Sequence, residues 1–183
     1  MTTQTRLITA DELLMMPDDG YRYELIRGVL IRKMPPGDRH GDAAAWTAVE
    51  FGTYVRANNY GAVRAEIGYK LESDPDTVRA PDVSWIAPDH VREPIPGYRD
   101  GAPDLAVEVK SPNDSRPEMF AKAQMWIGYG TRIVLVLDPA PVTVTVYRPN
   151  AEPVNLGEDD TLDLGDLLPG FACPVWRLFR QQY

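Results

Sequence analysis

Two strand-like segments on either side of a proline-rich loop constrain the fold of this sequence most strongly. Residues 82–86 are short, β-branched and aromatic, and residues 105–110 alternate in polarity along a mostly apolar stretch. Successive side chains of a strand point to opposite faces, so Glu108 and Lys110 project the same way. The sequence therefore predicts an acid and a base side by side on one face of a strand.

A second acid near Glu108 and Lys110 would make this part of the sheet a candidate metal site. Asp82 opens the earlier strand directly after Pro81, and pairing of the two strands would bring its carboxylate towards Glu108. Two neighbouring carboxylates repel each other unless a cation lies between them. Mg²⁺ favours such oxygen ligands, and a nearby lysine can orient a water molecule or offset charge developing on a phosphate. The alternative is a solvated strand face with weak ion pairs.

This spacing is the Pro-Asp…(Asp/Glu)-x-Lys pattern, and the chain resembles the PD-(D/E)xK nuclease superfamily that carries it. Further segments resemble the Uma-two family of "putative restriction endonucleases", over about residues 8–170. These segments are 23–28, His40, 103–112, the helix with Lys122, 129–130 and 134–139. The resemblance implies an α/β, restriction-endonuclease-like fold, with a mixed central β-sheet flanked by α-helices. It also implies Mg²⁺-dependent hydrolysis of phosphodiester bonds in DNA, with Mn²⁺ as a substitute ion.

The metal ligands follow from the same resemblance. It assigns the ion to Asp82 and Glu108, with the backbone carbonyl of Val109 as a further oxygen ligand. Glu66 is an additional candidate ligand, although it equally fits a solvated acid on a strand.

Two lysines compete for the catalytic role. Lys110 completes the motif, but many family members have an apolar residue there, and the lysine of the following helix, here Lys122, takes over its role. Lys122 also follows Glu118 by four residues, the spacing of a helical ion pair worth about 0.3–0.5 kcal/mol. The sequence leaves open whether Lys110, Lys122 or both are catalytic.

The resemblance places three more residues on the substrate side or around the site: Glu24, His40 and Gln124. From the residues alone, Glu24 also fits a surface strand position and His40 a contact in the first turn of a helix. Gln124 is the alternative to Lys122, because some relatives in the superfamily use a glutamine on this helix.

Composition bounds the class of protein. A chain of 183 residues predicts a single domain over 1–183, with the family-like region at about 8–170 and an apolar tail at 171–183. Its one cysteine excludes an internal disulfide and a cysteine-based metal cluster. The sequence has neither an apolar run of about 18 residues nor the apolar core of a signal peptide, so we expect a cytoplasmic protein.

The net charge of −8 opposes a nucleic-acid partner, because such proteins gain affinity by neutralising phosphates. Bound cations would offset the acidic ligands, and basic residues concentrate in the first forty positions. These are Arg22, Arg27, Arg32, Lys33 and Arg39. The alternative function is a catalytically silent nuclease fold that serves as a binding or interaction module. Cleavage of both DNA strands usually needs two active sites, so we expect a homodimer.

The periodicity also predicts the main elements. We predict three helices, at 9–16, 38–58 and 115–128. In the second helix Asp38 is the predicted N-cap, and the predicted buried stripe is Ala44, Ala48, Phe51 and Val55. In the third helix Ser115 and Glu118 match a capping box. We predict a hairpin around Arg27–Gly28, strands at 62–67 and 69–71 joined by a kink at Gly68, and a strand at 133–137 covered on both faces. The apolar tail either packs on the core or forms a dimer contact.

Overall fold

A computed structural model describes residues 6–179 and has the predicted α/β class. In chain order the elements are α1 (Ala10–Leu14), β1 (Arg22–Ile26), β2 (Val29–Lys33), α2 (Asp38–Asn58), β3 (Ala62–Ala65), β4 (Tyr69–Glu72), β5 (Thr77–Arg79), β6 (Val83–Ile86), β7 (Arg99–Asp100), β8 (Leu105–Val109), α3 (Arg116–Gly128), β9 (Ile133–Asp138), β10 (Thr143–Tyr147), β11 (Val154–Leu156), β12 (Thr161–Asp163), β13 (Ala172–Pro174) and a 3₁₀ turn (Val175–Leu178).

The chain forms two compact units. The smaller unit comprises Ile67–Ala80, Glu93–Ala102 and the described part of Met1–Pro35. The larger unit comprises Pro36–Glu66, Pro81–Arg92 and the described part of Pro103–Tyr183. The expectation that the chain folds as a single domain stays a prediction.

The smaller unit is a five-stranded sheet in the order β2-β1-β5-β4-β7. The predicted hairpin of β1 and β2 is present and turns at Arg27 and Gly28. Both residues have a positive φ. Helix α1 begins after Thr9, whose side chain and that of Glu12 form a capping box. Its buried residues Ala10 and Leu13 pack with strand residues on one face of the sheet.

The larger unit contains a six-stranded sheet in the order β11-β10-β9-β8-β6-β3. Only β8 and β9 pair in parallel, so the sheet is mixed, as expected. Side chains of α2, including Phe51 and Val55, pack with Leu105, Val107 and Val109 of β8. Trp126 of α3 contacts Glu108, on the opposite face of the same strand. Helices therefore flank both faces of this sheet.

The two strands predicted around Gly68 lie in different sheets, so Gly68 does not kink a continuous strand. The first strand stops at Ala65, and Glu66 adopts a left-handed backbone conformation with φ of 53°. Gly68 lies against the ring of Tyr98, and any Cβ at this position would overlap that ring. The glycine is therefore required by a close approach within the smaller unit.

Helix α2 differs from its prediction at the N-terminus and along its buried stripe. Gly37 is the N-cap and Asp38 is the first helical residue, so the prediction of an Asp38 cap is wrong. The fully buried positions follow a spacing of four, Ala43, Thr47, Phe51 and Val55, whereas Ala44 and Ala48 are only partly buried. Thr47 is tolerated in this stripe because its hydroxyl donates to the carbonyl oxygen of Leu178, 3.3 Å away.

The apolar tail packs on the core as far as Phe179. Phe171, Leu178 and Phe179 belong to the same buried cluster as α2 and β8. Burial raises the pKa of the Cys173 thiol to about 12, so this cysteine is an inert apolar side chain at neutral pH. Among residues 6–179, no helix is long and apolar enough to span a bilayer.

Asp76 links α1 to the sheet of the smaller unit, and its replacement tests that link. Its carboxylate accepts the Ala10 N–H at 2.7 Å and lies 3.3 Å from the Lys70 ammonium. The Ala10 hydrogen bond is the main cause of a lowered Asp76 pKa, against the opposing effect of burial. We expect Asp76→Ala to lower the free energy of unfolding by about 1–2 kcal/mol at pH 7.

A carboxyl group with a lowered folded-state pKa stabilises the protein above its unfolded pKa of about 3.9 and loses that effect as the pH falls. The difference between wild type and Asp76→Ala, measured by urea unfolding, should therefore be constant above about pH 5 and shrink below pH 4. Asp100→Ala, an exposed acid on β7 of the same sheet, is the control and should show no such trend. A difference that grows towards low pH would contradict the assignment.

Candidate active site

The register between β6 and β8 brings the two predicted acids together. Val83 pairs with Val107 in an antiparallel ladder, and one further step sets Asp82 opposite Glu108. Directly opposed residues on antiparallel strands point to the same face, with Cβ atoms roughly 4.5–5.5 Å apart. The predicted pairing of the two strands is therefore confirmed, and it juxtaposes Asp82 and Glu108.

The Asp82 carboxylate lies at the end of this strand pair. Its Oδ2 accepts the backbone N–H of Val109 at 2.6 Å and lies 3.4 Å from Nε2 of His40. Within the described part of the chain, its Oδ1 accepts no hydrogen bond, and the side chain is 20% exposed. Asp82 thus fixes the strand register through one oxygen and leaves the other open towards solvent.

Glu108 is buried and held from α3. Its Oε1 accepts the indole N–H of Trp126 at 2.8 Å, and its Oε2 lies 3.4 Å from the Lys122 ammonium. Burial of an unpaired carboxylate would cost several kcal/mol, so these two contacts make the position of Glu108 tolerable. They also fix the direction in which its carboxylate points.

Local sequence determines where α3 starts, and the start of the helix sets the direction in which Lys122 and Trp126 point towards Glu108. Ser115 and Glu118 form the predicted capping box, and Pro117 occupies the first turn where its missing N–H costs nothing. Lys122 and Trp126 are four residues apart and therefore lie on one face of the helix. That face is directed at Glu108.

His40 contacts Asp82 from the first turn of α2. Burial acts to lower the pKa of His40, but the hydrogen bond and the negative charge of Asp82 outweigh it, so the pKa is raised. The nearby Lys122 charge acts to lower it. Nδ1 of His40 is buried and has no hydrogen-bond partner among residues 6–179. The imidazole is thus an acid–base group beside one of the two carboxylates.

The structure separates the two lysines that the sequence left in competition. The Lys110 ammonium lies 3.2 Å from the carboxylate of Asp138, its neighbour in the parallel ladder of β8 and β9. The Lys122 ammonium instead lies beside Glu108. Lys122 is therefore the lysine that the fold brings to the acid pair.

The remaining predicted residues are placed differently. Gln124 is exposed and lies about 200° around the helix from Lys122. Glu66 is exposed, although its backbone N–H donates to the carbonyl oxygen of Asp82 at 3.3 Å. Val109 is buried next to Glu108. Glu24 belongs to the smaller unit, where it contacts Lys33 and Arg79.

No functional role was predicted from the sequence for Trp126 or for Asp138. The spacing of four between Lys122 and Trp126 was a signal for a shared face, and an indole N–H in a core needs an acceptor. The pairing of Asp138 with Lys110 depends on the parallel register of β8 and β9, for which the sequence has no local signal.

Replacement of Trp126 tests whether its N–H holds Glu108. We expect Trp126→Phe to lower the free energy of unfolding by about 1–3 kcal/mol beyond the loss of ring volume, because it removes a hydrogen bond to a charged group. The measurement is a double-mutant cycle with Glu108→Ala in urea, in which the two effects should not add. Trp85→Phe is the matched control, since its N–H donates to the Tyr60 carbonyl oxygen and not to a carboxylate. Additive effects of Trp126→Phe and Glu108→Ala would refute this role.

Comparison with known proteins agrees with the fold and with the family resemblance. A crystal structure described as a putative nuclease belonging to DUF820, from Anabaena variabilis, superposes with a TM-score of 0.79 at 23% sequence identity. The match covers 94% of this chain and 97% of that one, so the two proteins share a fold. No curated protein matches the sequence. Residues 10–176 match the Uma2 family, described as "Putative restriction endonuclease", and the chain belongs to that family.

Proposed function

We propose that this protein is a metal-dependent endonuclease that hydrolyses phosphodiester bonds in DNA. The observation that carries the proposal is the opposition of Asp82 and Glu108 on neighbouring strands, with Lys122 beside Glu108. Membership of a family described as restriction endonucleases supports the nuclease activity. DNA as substrate, and Mg²⁺ or Mn²⁺ as the ion, belong to the proposal.

The donor set at this place suits a hard divalent cation. Asp82 and Glu108 offer carboxylate oxygens, and the backbone carbonyl of Val109 is a further oxygen close by in the chain. No group of three or more His, Cys, Asp or Glu side chains within residues 6–179 is arranged to hold a metal ion. Two carboxylates nonetheless suffice for Mg²⁺, which commonly keeps several waters and binds substrate phosphate oxygens. When bound, the ion would polarise the phosphate and lower the pKa of a bound water.

The side chains around the acids have distinct roles in this proposal. Trp126 and Lys122 hold the Glu108 carboxylate in one orientation. The Lys122 ammonium orients the attacking water and stabilises the negative charge that develops on the phosphate. His40 lies beside Asp82, whose hydrogen bond and charge raise the pKa of the imidazole against the effect of burial, and in this proposal it donates a proton to the leaving oxygen.

The net charge of −8 favours a second candidate, a nuclease fold that binds or interacts without turnover. A protein of this charge is repelled by the phosphate backbone at long range. The two candidates differ in one measurable property, because only the first releases cleaved DNA.

Nicking of supercoiled plasmid in the presence of Mg²⁺ or Mn²⁺ tests the first candidate. We expect Asp82→Ala and Glu108→Ala to reduce nicking by at least about 100-fold, because each removes an oxygen ligand, and EDTA to abolish it. Asp42→Ala, an exposed acid on α2, should retain wild-type activity. Wild type without nicking under any metal would favour the silent module, and unchanged activity in both acid variants would indicate a contaminating nuclease.

The two lysines can be compared in the same assay. We expect Lys122→Met to reduce nicking by about 100-fold and Lys110→Met by less than about 10-fold, because Lys110 is engaged with Asp138 and Lys122 is beside Glu108. Urea unfolding of both variants controls for stability, since each loses one ion pair. A larger loss of activity in a stably folded Lys110→Met would reverse the assignment.

A further inference from the structure

A cluster of two cations and one acid lies on the sheet of the smaller unit, with Glu24 and Arg79 buried and Lys33 partly exposed. Glu24 of β1 is directed at Lys33 of β2 and Arg79 of β5, the strands on either side of it. Its Oε2 lies 3.1 Å from the Lys33 ammonium and 3.2 Å from Nε of Arg79. Its Oε1 accepts the N–H of Ala80 at 3.2 Å. One carboxylate therefore faces two positive charges, and the cluster has an excess charge of +1.

Arg79 has more donors than this cluster can satisfy. The residue is 8% exposed, and its Nε is buried without a hydrogen bond because the contact with Glu24 is poorly aligned. Its terminal nitrogens donate to no side chain or carbonyl group among residues 6–179. A buried charged donor without an acceptor costs about 1–3 kcal/mol or more, so the Nε of Arg79 is unusual for a purely structural ion pair, and the terminal nitrogens are not among the buried atoms without a partner.

In two other ion pairs of the chain, a carboxylate contacts both Nε and a terminal nitrogen of the arginine. Arg148 places Nε and Nη2 on the two oxygens of Asp166, at 3.0 and 3.2 Å. Arg177 places Nε and Nη2 on Glu50, at 3.0 and 2.8 Å. In both pairs the guanidinium fork is occupied by a carboxylate. In Arg79 only Nε faces the acid, and the outer edge of the fork is left for another acceptor.

The chemistry of that acceptor follows from the donors. A guanidinium edge binds two oxygens of one oxyanion, and a neighbouring ammonium adds a third contact. The Lys33 side chain is 36% exposed, so the cluster is open to solvent on that side. A tetrahedral phosphate group offers oxygens in several directions and carries the charge that would neutralise the excess.

We propose that Arg79 and Lys33 form a phosphate-binding site, with Glu24 holding Arg79 in place. Its ligand is a phosphate group, supplied by a nucleic-acid backbone or by a free phosphate. This gives Glu24 a positioning role in an anion site, in place of the role on the substrate side or around the acid pair that the family resemblance implies. The site requires no turnover and is independent of the proposed nuclease activity.

Binding in EDTA tests the site without any cleavage. The probes are inorganic phosphate, followed by calorimetry, and a fluorescein-labelled DNA oligonucleotide, followed by anisotropy between 50 and 200 mM salt, a range over which backbone contacts weaken strongly. We expect Arg79→Met to weaken binding by about 10- to 100-fold and to reduce the salt dependence by about one phosphate contact. Arg79→Lys keeps the charge but loses the fork and should weaken binding less.

Arg148→Met is the matched control, because it makes the same change at an arginine whose fork is already occupied, and it should bind as wild type does. Lys33→Met is a second test of the same site, to be used if Arg79→Met does not fold. It should weaken binding by about 10-fold.

Loss of oligonucleotide binding alone would identify a backbone phosphate as the ligand, and loss of both would identify a general phosphate site. Folded Arg79→Met or Lys33→Met with wild-type affinity for both probes would overturn the proposal, as would a wild type that binds neither. Arg79-dependent binding in a protein that nicks no plasmid would support this site while refuting the nuclease.

Discussion

The antiparallel register between β6 and β8 is the constraint on which the site depends. A shift of one residue would send Glu108 to the face covered by α2 and bury its carboxylate among apolar side chains. Asp82 opposes such a shift directly, because its carboxylate takes the place of a backbone acceptor for the N–H of Val109. The same acid therefore both fixes the ladder and contributes an oxygen to the pair that the ladder creates.

The strands supply the acids, and the helices determine how they are presented. Helix α3 offers Trp126 and Lys122 to Glu108, while the first turn of α2 offers His40 to Asp82. The two pairs are coupled, because the charge of Lys122 acts on the pKa of His40. In the proposed metal-bound state, a cation between the carboxylates would compete electrostatically with a proton on the imidazole, which would link metal binding to the protonation of His40.

Local sequence patterns predicted the helices and strands well. The assignment of strands to sheets and the neighbours of the site residues depend on strand register between distant parts of the chain. Alternation in 105–110 and the Ser115 capping box gave the strand and helix that carry the site, because such signals depend only on neighbouring residues. The assignment of β3 and β4 to different sheets depends on the turn at Glu66 and on the packing of Tyr98 against Gly68. The choice between Lys110 and Lys122 likewise depends on Asp138, which only the parallel ladder brings near.

The smaller unit is assembled from three separate stretches of chain, so the polypeptide passes between the units five times. Neither unit can be cut out as one continuous fragment, and neither can be exchanged between relatives by a single recombination event. Insertions are best tolerated where both flanking strands stay in one unit and the turn is exposed, such as residues 149–152 between β10 and β11. New specificity in such a chain is therefore expected to arise from substitutions and loop insertions within a fixed connectivity, without the exchange of whole units.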